Sequence, residues 1–172
     1  MKLIIGMFLL CAAGLHAPVA AAPAPNSDSW KPLLFLMGNW EAKAAGKTGA
    51  TGSYSFAPDL KGHILVRTSH TTACKSAAGI DCEHTDMLYI YRDPPADAMR
   101  AIYFDNEGHV LHYDVTTPTQ TSVVFLTDPA QPGPQFRLTY ELKDGVMSGK
   151  FQAKPPGAAD FVSYLEWSGG KK

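Results

Sequence analysis

The chain has 172 residues, of which 45% are hydrophobic and only 18% are charged, and its formal net charge is −1. This length supports one domain with a single well-filled core. The composition, with 15 Gly and 13 Pro, is typical of a turn-rich globular fold and excludes a disordered chain or a coiled coil. Because the charge is nearly balanced, neither nucleic acid nor an anionic membrane surface is an expected partner.

Residues 1–21 have the pattern of a secretory signal peptide. Lys2 supplies a positive charge, an apolar run follows it, and Val19–Ala21 forms a small-residue cleavage pattern. The apolar run is shorter than the roughly 20 residues that a membrane-spanning helix needs, so we expect no stable membrane insertion. The mature protein is expected to begin near Ala22 and to be exported, either to the periplasm or out of the cell.

A flexible lead-in and one short helix are predicted next. Residues 22–29 are rich in Pro, Ala and Ser and show no periodicity, which indicates an irregular segment. From Trp30 to Met37 apolar residues recur at helical spacing, and Pro32 is tolerated in the first turn of a helix. This pattern predicts a short N-terminal helix.

The rest of the chain is a succession of short alternating runs separated by Gly, Pro, Asp and Asn. Such runs predict strands with one apolar face, at about 39–46, 53–56, 62–73, 84–92, 99–104, 109–116, 121–127, 136–142, 145–152 and 160–168. We therefore predict an all-β fold, a single antiparallel up-and-down barrel of about ten strands, because closure removes exposed sheet edges. A two-sheet sandwich is the alternative. The domain is expected to span 30–168, with 169–172 as a tail.

Cys74 and Cys82 are a lone pair of cysteines in the expected mature chain. An exported protein in an oxidising compartment favours a disulfide between them. The alternative is metal ligation, but the spacing lacks a short C-x-x-C bite and only His84 lies close enough in sequence to join the pair. We predict a bridge that connects two neighbouring strands.

No motif for a nucleophile elbow, a zinc site, a phosphate-binding loop or a calcium loop is present in the sequence. We therefore predict no catalytic residue, no metal site and no cofactor. Histidines are nevertheless concentrated in the middle strands, and His109 and His112 would point to opposite faces of one strand. An enzyme alternative would use His70, His112 and Tyr103 as its acid and base groups.

Aromatic residues recur on nearly every predicted strand. Most of them are expected in the core, but a barrel of more than eight strands encloses more volume than its side chains readily fill. A cavity lined by aromatic rings with a few polar groups suits a small, mostly apolar ligand. The residues expected to line it are Trp40, Tyr54, Phe56, Phe136 and Tyr140.

The segment Leu36-Met37-Gly38-Asn39-Trp40, a helix that runs into G-x-W, resembles the opening of lipocalins and other calycins. The stretch 101–113, with Gly-Ser-Tyr-Ser-Phe at 52–56, is similar to a family of exported bacterial proteins of unknown function related to that group. The resemblance implies a calycin-like barrel in which Trp40 closes one end. Ten strands look more like the nitrobindin branch, whose members hold haem through a late histidine, but no histidine follows His112, so haem is not expected.

The sequence also predicts the register of one hairpin. Asp105-Asn106-Glu107-Gly108 has the Asp and Gly preferences of a type I turn closed by a glycine bulge. Counting outward from this turn places Phe104 opposite Val110, Ile102 opposite His112, and Arg100 opposite Asp114. In this register Tyr103 and His112 lie on opposite faces.

These patterns lead to a functional hypothesis: an exported β-barrel that binds a small apolar or amphipathic molecule without converting it. One alternative is an enzyme that acts on a small hydrophobic molecule in the barrel cavity. Another is a ligand-free structural or interaction protein of the cell envelope, whose barrel would be filled by side chains.

Overall fold

The computed structural model describes residues 27–46, 49–74, 82–94 and 96–172. A 3₁₀-helix spans Ser27–Leu36, and a 3₁₀ turn spans Leu60–Gly62. The strands are β1 (Gly38–Ala44), β2 (Thr51–Asp59), β3 (Ile64–Ala73), β4 (Thr85–Asp93), β5 (Ala98–Asp105), β6 (Val110–Thr119), β7 (Ser122–Thr127), β8 (Gln135–Lys143), β9 (Val146–Lys154) and β10 (Val162–Gly170).

These strands form one closed barrel in which each strand pairs with its neighbours in the sequence and β1 pairs with β10. Every pairing is antiparallel. The predicted fold class, an all-β up-and-down barrel of about ten strands, is confirmed. Closure gives every strand two partners, which removes the exposed edges of an open sheet.

The alternation of side chains along each strand determines which residues enter the barrel. On β8, Leu138 and Tyr140 are buried, whereas the intervening Thr139 is not. Because directly paired residues share a face of the sheet, Phe151, which lies opposite Leu138, also faces inward. The same alternation defines the inward face of the other strands.

The N-terminal 3₁₀-helix covers one end of the barrel, which we call the lower end. Leu33 and Leu36 are fully buried in the core. The indole of Trp30 donates a hydrogen bond to the carbonyl of Gly62, in the connection between β2 and β3, at 2.8 Å. The indole of Trp40 donates to the carbonyl of Leu36 at 2.7 Å, so Trp40 ties the first strand to the helix.

The structure differs from the predicted boundaries at both ends. The helix begins at Ser27, within the segment 22–29 that was expected to be an irregular lead-in. At the other end, the expected tail 169–172 belongs to the sheet, because Gly170 pairs with β9 and the amide of Lys172 donates to the carbonyl of Asn39 at 2.8 Å. The glycine-rich end of the chain lacked the apolar alternation by which strands were recognised.

The predicted register of the β5–β6 hairpin is confirmed. Phe104 lies opposite Val110, Ile102 opposite His112, and Arg100 opposite Asp114. Gly108 has φ 88°, the left-handed conformation that glycine adopts without strain, and its amide donates to the carbonyl of Asp105 at 3.2 Å. Arg100 and Asp114, which this register places opposite each other, form an ion pair.

Cys74 and Cys82 form the predicted disulfide, with their Cα atoms 5.4 Å apart. The bridge connects the end of β3 to the residues that lead into β4. The predicted signal peptide, residues 1–21, lies outside the described residues. Within the described part of the chain, no helix has the length and apolar character needed to cross a membrane.

Candidate functional site

Four of the five predicted ligand-contacting residues lie together in the packed interior. Trp40, Tyr54, Phe56 and Tyr140 are all buried, at 6% exposure or less. The ring of Tyr140 lies 5.7 Å from that of Tyr54 and 5.5 Å from that of Phe56. These rings therefore fill the interior of the barrel and pack against one another.

Phe136, the fifth predicted residue, lies at the opposite end from the helix, which we call the upper end. Its ring is half-buried and is stacked on that of Phe151, with centroids 5.5 Å apart and an interplanar angle of 7°. Leu165 lies opposite Phe151 and is also half-buried. We call these three inward-facing residues the apolar wall of the upper mouth.

Polar side chains occupy the inward face of β4 and β5 at the same end. Asp86 lies directly opposite Asp105, and Tyr103 lies opposite Leu88. His84 lies just before β4 and two residues from Asp86, so it shares the inward face with Asp86. Its Nε2 lies 3.3 Å from the Tyr103 hydroxyl. We call His84, Asp86, Tyr103 and Asp105 the polar wall of the upper mouth.

Two of these groups are tied to the β5–β6 turn. The Asp105 carboxylate accepts hydrogen bonds from the amides of Glu107 and His109 at 3.0 and 2.8 Å, and from the Tyr103 hydroxyl at 3.1 Å. Burial would raise the pKa of Asp105, but the hydrogen bonds from His109 and Tyr103 hold it below its usual value. His84 Nδ1 lies 3.0 Å from Glu107 Oε1.

The other carboxylate of the polar wall is held by a buried cation. Asp86 forms an ion pair with Arg67, which also donates a hydrogen bond to the Tyr140 hydroxyl. Burial raises the pKa of Tyr140 and, together with the neighbouring Asp105 carboxylate, that of Tyr103. Both phenols are therefore protonated at neutral pH; the Tyr103 hydroxyl donates to Asp105, and the Tyr140 hydroxyl accepts from Arg67.

The three residues of the enzyme alternative do not converge. His112 is exposed on the outer wall, opposite Ile102. His70 is also exposed, and its Nε2 lies 3.0 Å from the Ser53 hydroxyl on the outer face of β2 and β3. Only Tyr103 faces the interior, so this trio cannot act on one substrate.

Two concave regions of the outer wall, among the described residues, are distinct from the mouth. One, of about 600 Å³, is lined by polar residues of β1, β2, β3 and β10, including Ser53, His70 and Thr72. The other, of about 220 Å³, is lined by residues that include Tyr91, Arg100 and His112. Among the residues that the structure describes, no group of three or more His, Cys, Asp and Glu is placed to hold a metal ion.

Of the polar wall, the sequence singled out only Tyr103, for the enzyme alternative, and it did not place His84 or its partner Glu107 at the mouth. The signal that could have found His84 is its parity with the inward residues of β4, since positions 84, 86, 88 and 90 share one face of a strand. Its partner Glu107 lies in a turn 23 residues further along the chain. Only the pairing of β4 with β5 brings that turn beside His84.

No family model matches this sequence, and a search of the curated proteins finds no match either. The fold itself is a closed ten-stranded antiparallel barrel, which is consistent with a calycin-like architecture. It is closed at the lower end by the helix, and at the upper end an apolar wall and a polar wall share the inward face.

Proposed function

We propose that this barrel binds a small amphipathic molecule at its upper mouth. The observation that carries the proposal is the half-buried Phe136–Phe151 stack, which shares the inward face at this end with Tyr103 and His84. Binding sites for small molecules combine apolar surface with a few polar groups that orient the ligand. The apolar part of the ligand would cover the stack, and its polar part would face the polar wall.

The proposal places the ligand higher in the barrel than the sequence suggested. Since Trp40, Phe56 and Tyr140 are each 2% exposed or less, the space between them is taken by their own rings. Side chains at the mouth are less tightly enclosed, and Phe136, Leu111 and Tyr103 pack on the core while keeping part of their surface exposed. A ligand can therefore gain contact there without displacing the core.

Titration with a neutral, environment-sensitive dye such as Nile red tests this assignment. Replacing Phe136 with alanine removes apolar contact that stabilises a complex by about 1.5–3 kcal/mol, so we expect dye affinity to fall about tenfold or more. The matched control is Phe104→Ala, because Phe104 is 41% exposed on the outer wall. This control is expected to leave the affinity unchanged.

Two results would contradict the assignment of the mouth. One is an unchanged affinity in Phe136→Ala with the fold intact by circular dichroism. The other is an equal loss in Phe104→Ala, which would place the dye on the outer wall.

A ligand-free barrel is the second candidate, and the filled interior favours it. Residues on the outer wall also form an exposed apolar strip, in which Met87 lies opposite Phe104 and Phe104 opposite Val110. Such a strip is typical of surfaces that contact other macromolecules. The absence of saturable binding by dyes and by lipids extracted from the native source would support this reading over the first.

We also propose that the protein is exported. The pattern of residues 1–21 and the bridge between Cys74 and Cys82 support this, because disulfides persist in oxidising compartments. The mass of the protein purified from its native source tests it. We expect a mature chain that begins near Ala22 and in which neither Cys74 nor Cys82 reacts with an alkylating agent unless a reductant is added.

A further inference from the structure

We propose that the Tyr54 hydroxyl and the Nε–H group of Arg67 anchor the ligand of the upper mouth through a neutral acceptor oxygen, such as a carbonyl oxygen. The inference rests on the proposed binding function, because the ligand must first occupy the mouth. It deepens that function by naming a class of ligand, a neutral molecule with an apolar body and a hydrogen-bond acceptor.

The first observation is a pair of buried donors without an acceptor. Among the residues that the structure describes, three buried side-chain atoms lack a hydrogen-bond partner: the Tyr54 hydroxyl, Arg67 Nε and Arg92 Nε. Arg92 lies beside the N-terminal helix, where it donates to the carbonyl of Ser29 at 2.6 Å. Tyr54 and Arg67 are 6% and 5% exposed, and polar groups so deeply buried are ordinarily hydrogen-bonded. An acceptor oxygen of a ligand would satisfy them.

Both donors adjoin the polar wall of the upper mouth. Direct pairing across β2 to β5 forms one inward-facing row that consists of Tyr54, Ser69, Asp86 and Asp105. Arg67 lies two residues before Ser69 on β3 and therefore shares this face. The Tyr140 ring lies 5.7 Å from that of Tyr54, and its hydroxyl accepts from Arg67. The two donors therefore lie at the base of the polar wall, toward which the polar part of the ligand is directed.

The chemistry of the two groups calls for an acceptor. Burial raises the pKa of Tyr54, so the phenol keeps its proton at neutral pH. The indole of Trp167 faces this hydroxyl, but an indole N–H donates and cannot accept the phenol proton. The guanidinium of Arg67 is also only a donor, and its Nη1 and Nη2 already donate to Tyr140 and Asp86.

The surrounding charges favour a neutral acceptor over a carboxylate. Asp86 balances the charge of Arg67 in a buried ion pair. Asp105 lies directly opposite Asp86, and its side chain is 4% exposed. Two carboxylates therefore lie beside one buried cation. A third carboxylate, on the ligand, would be repelled, whereas a carbonyl oxygen accepts a hydrogen bond without adding a charge.

Small residues lie next to Tyr54 on the side of the mouth. The next inward positions toward the upper end of β1 and β2 are Ala42 and Gly52, which are directly paired. No large side chain of these two positions therefore covers the Tyr54 ring from above.

The apolar wall lies within reach of the anchor. Trp167, which faces the Tyr54 hydroxyl, is paired with Gly149, and Phe151 is the next inward residue of β9. Successive inward residues are about 7 Å apart along a strand. A ligand with a phenyl ring and a short chain can therefore cover Phe151 and place an oxygen near Tyr54.

Three probes of matched shape test the anchor. Benzylacetone carries a neutral carbonyl group, butylbenzene has the same skeleton without oxygen, and hydrocinnamate carries a carboxylate in place of the acetyl group. Displacement of Nile red measures the affinity of each, with the dye affinity determined separately for every variant. The wild type should bind benzylacetone about tenfold or more tightly than hydrocinnamate. Tyr54→Phe should weaken benzylacetone about tenfold and change butylbenzene by less than about threefold, because only the ketone uses the hydroxyl.

Thermal stability distinguishes an unpaired hydroxyl from a structural one. Tyr54→Phe removes a polar group that has no partner, so the melting temperature of the ligand-free protein should be unchanged or raised. Tyr140→Phe, the matched change at a buried phenol that accepts from Arg67, should lower it. Tyr89→Phe is the binding control, since its hydroxyl donates to Met87 Sδ on the outer wall, and all three probe affinities should be unchanged.

Asp86→Asn tests the charge argument. The amide keeps an oxygen that can accept from Arg67 but removes the charge that balances the guanidinium. Hydrocinnamate should then gain about tenfold in affinity relative to benzylacetone. An unchanged ratio would overturn the assignment of a neutral ligand class.

The remaining outcomes separate the anchor from the binding function. Benzylacetone affinity that Tyr54→Phe leaves unchanged, or an equal loss for benzylacetone and butylbenzene, would overturn the anchor and leave binding at the mouth standing. If neither benzylacetone nor butylbenzene displaces the dye, the proposed binding function itself is overturned, and the anchor with it.

Discussion

Arg67 and Asp86 form an ion pair inside the barrel, on the paired strands β3 and β4. Each side chain is only 6% exposed, so both charges have been removed from water. Removing one partner of such a pair leaves an uncompensated buried charge, whereas replacing both with apolar groups avoids that cost. The intact pair is therefore expected to add little net stability to the fold, whereas loss of either partner alone should be costly.

A double-mutant cycle measures this coupling. Arg67→Met and Asp86→Leu should each lower the free energy of unfolding by about 3–5 kcal/mol, and the double variant should lose much less than their sum. The same cycle on Arg100 and Asp114, whose side chains are 41% and 51% exposed, should give a coupling below about 1 kcal/mol. Equal couplings at the two sites, measured by chemical denaturation, would contradict the interpretation.

Gly149 provides a test of interior packing. It is buried on β9 opposite Trp167, and a Cβ built at this position would overlap the indole ring. We expect Gly149→Ala to destabilise the protein by about 1–3 kcal/mol, because the ring must shift in a packed core. Gly170→Ala is the control, since a Cβ there meets no atom within 4 Å. Tryptophan fluorescence during denaturation reports both, and comparable stability of the two variants would refute the prediction.

The disulfide should stabilise the fold without being required for it. Closing so short a loop restricts the unfolded chain by about 2–3 kcal/mol in the entropic model. Replacing both Cys74 and Cys82 with serine should therefore lower the melting temperature while the far-ultraviolet circular dichroism spectrum is retained. Complete loss of that spectrum at room temperature would show that the bridge is essential.

Turn chemistry explains why the β5–β6 register was predictable. Asp105 accepts from two amides of its own turn, and Gly108 adopts the left-handed conformation. Both preferences are local, so the turn can be predicted from the four residues 105–108 alone. Once the turn is known, the pairing of Arg100 with Asp114 follows by counting.

The filling of the interior depends on non-local information. Strand number suggested a cavity, but the volume left inside depends on how large rings from β1, β2 and β8 meet, as Trp40, Phe56 and Tyr140 do. The covering of the lower end by Leu33 and Leu36 also depends on the position of the helix against the barrel. Neither arrangement is encoded in the alternation of a single strand.

The pH dependence of stability should reveal the role of Asp105. Burial opposes ionisation of its carboxylate, but hydrogen bonds from His109 and Tyr103 outweigh burial and lower the pKa. A lowered pKa in the folded state gives stability that is fully present above the unfolded value of about 3.9 and is lost as the pH falls through the folded value. Asp105→Asn should therefore lower the free energy of unfolding by about 1–3 kcal/mol at neutral pH, and this difference from the wild type should shrink in acid.

Asp144→Asn, an exposed change in the β8–β9 turn, is the control and should follow the wild-type curve throughout. Urea denaturation across this pH range measures all three proteins, and an Asp105→Asn penalty that persists unchanged in acid would show that the ionised carboxylate is not its source.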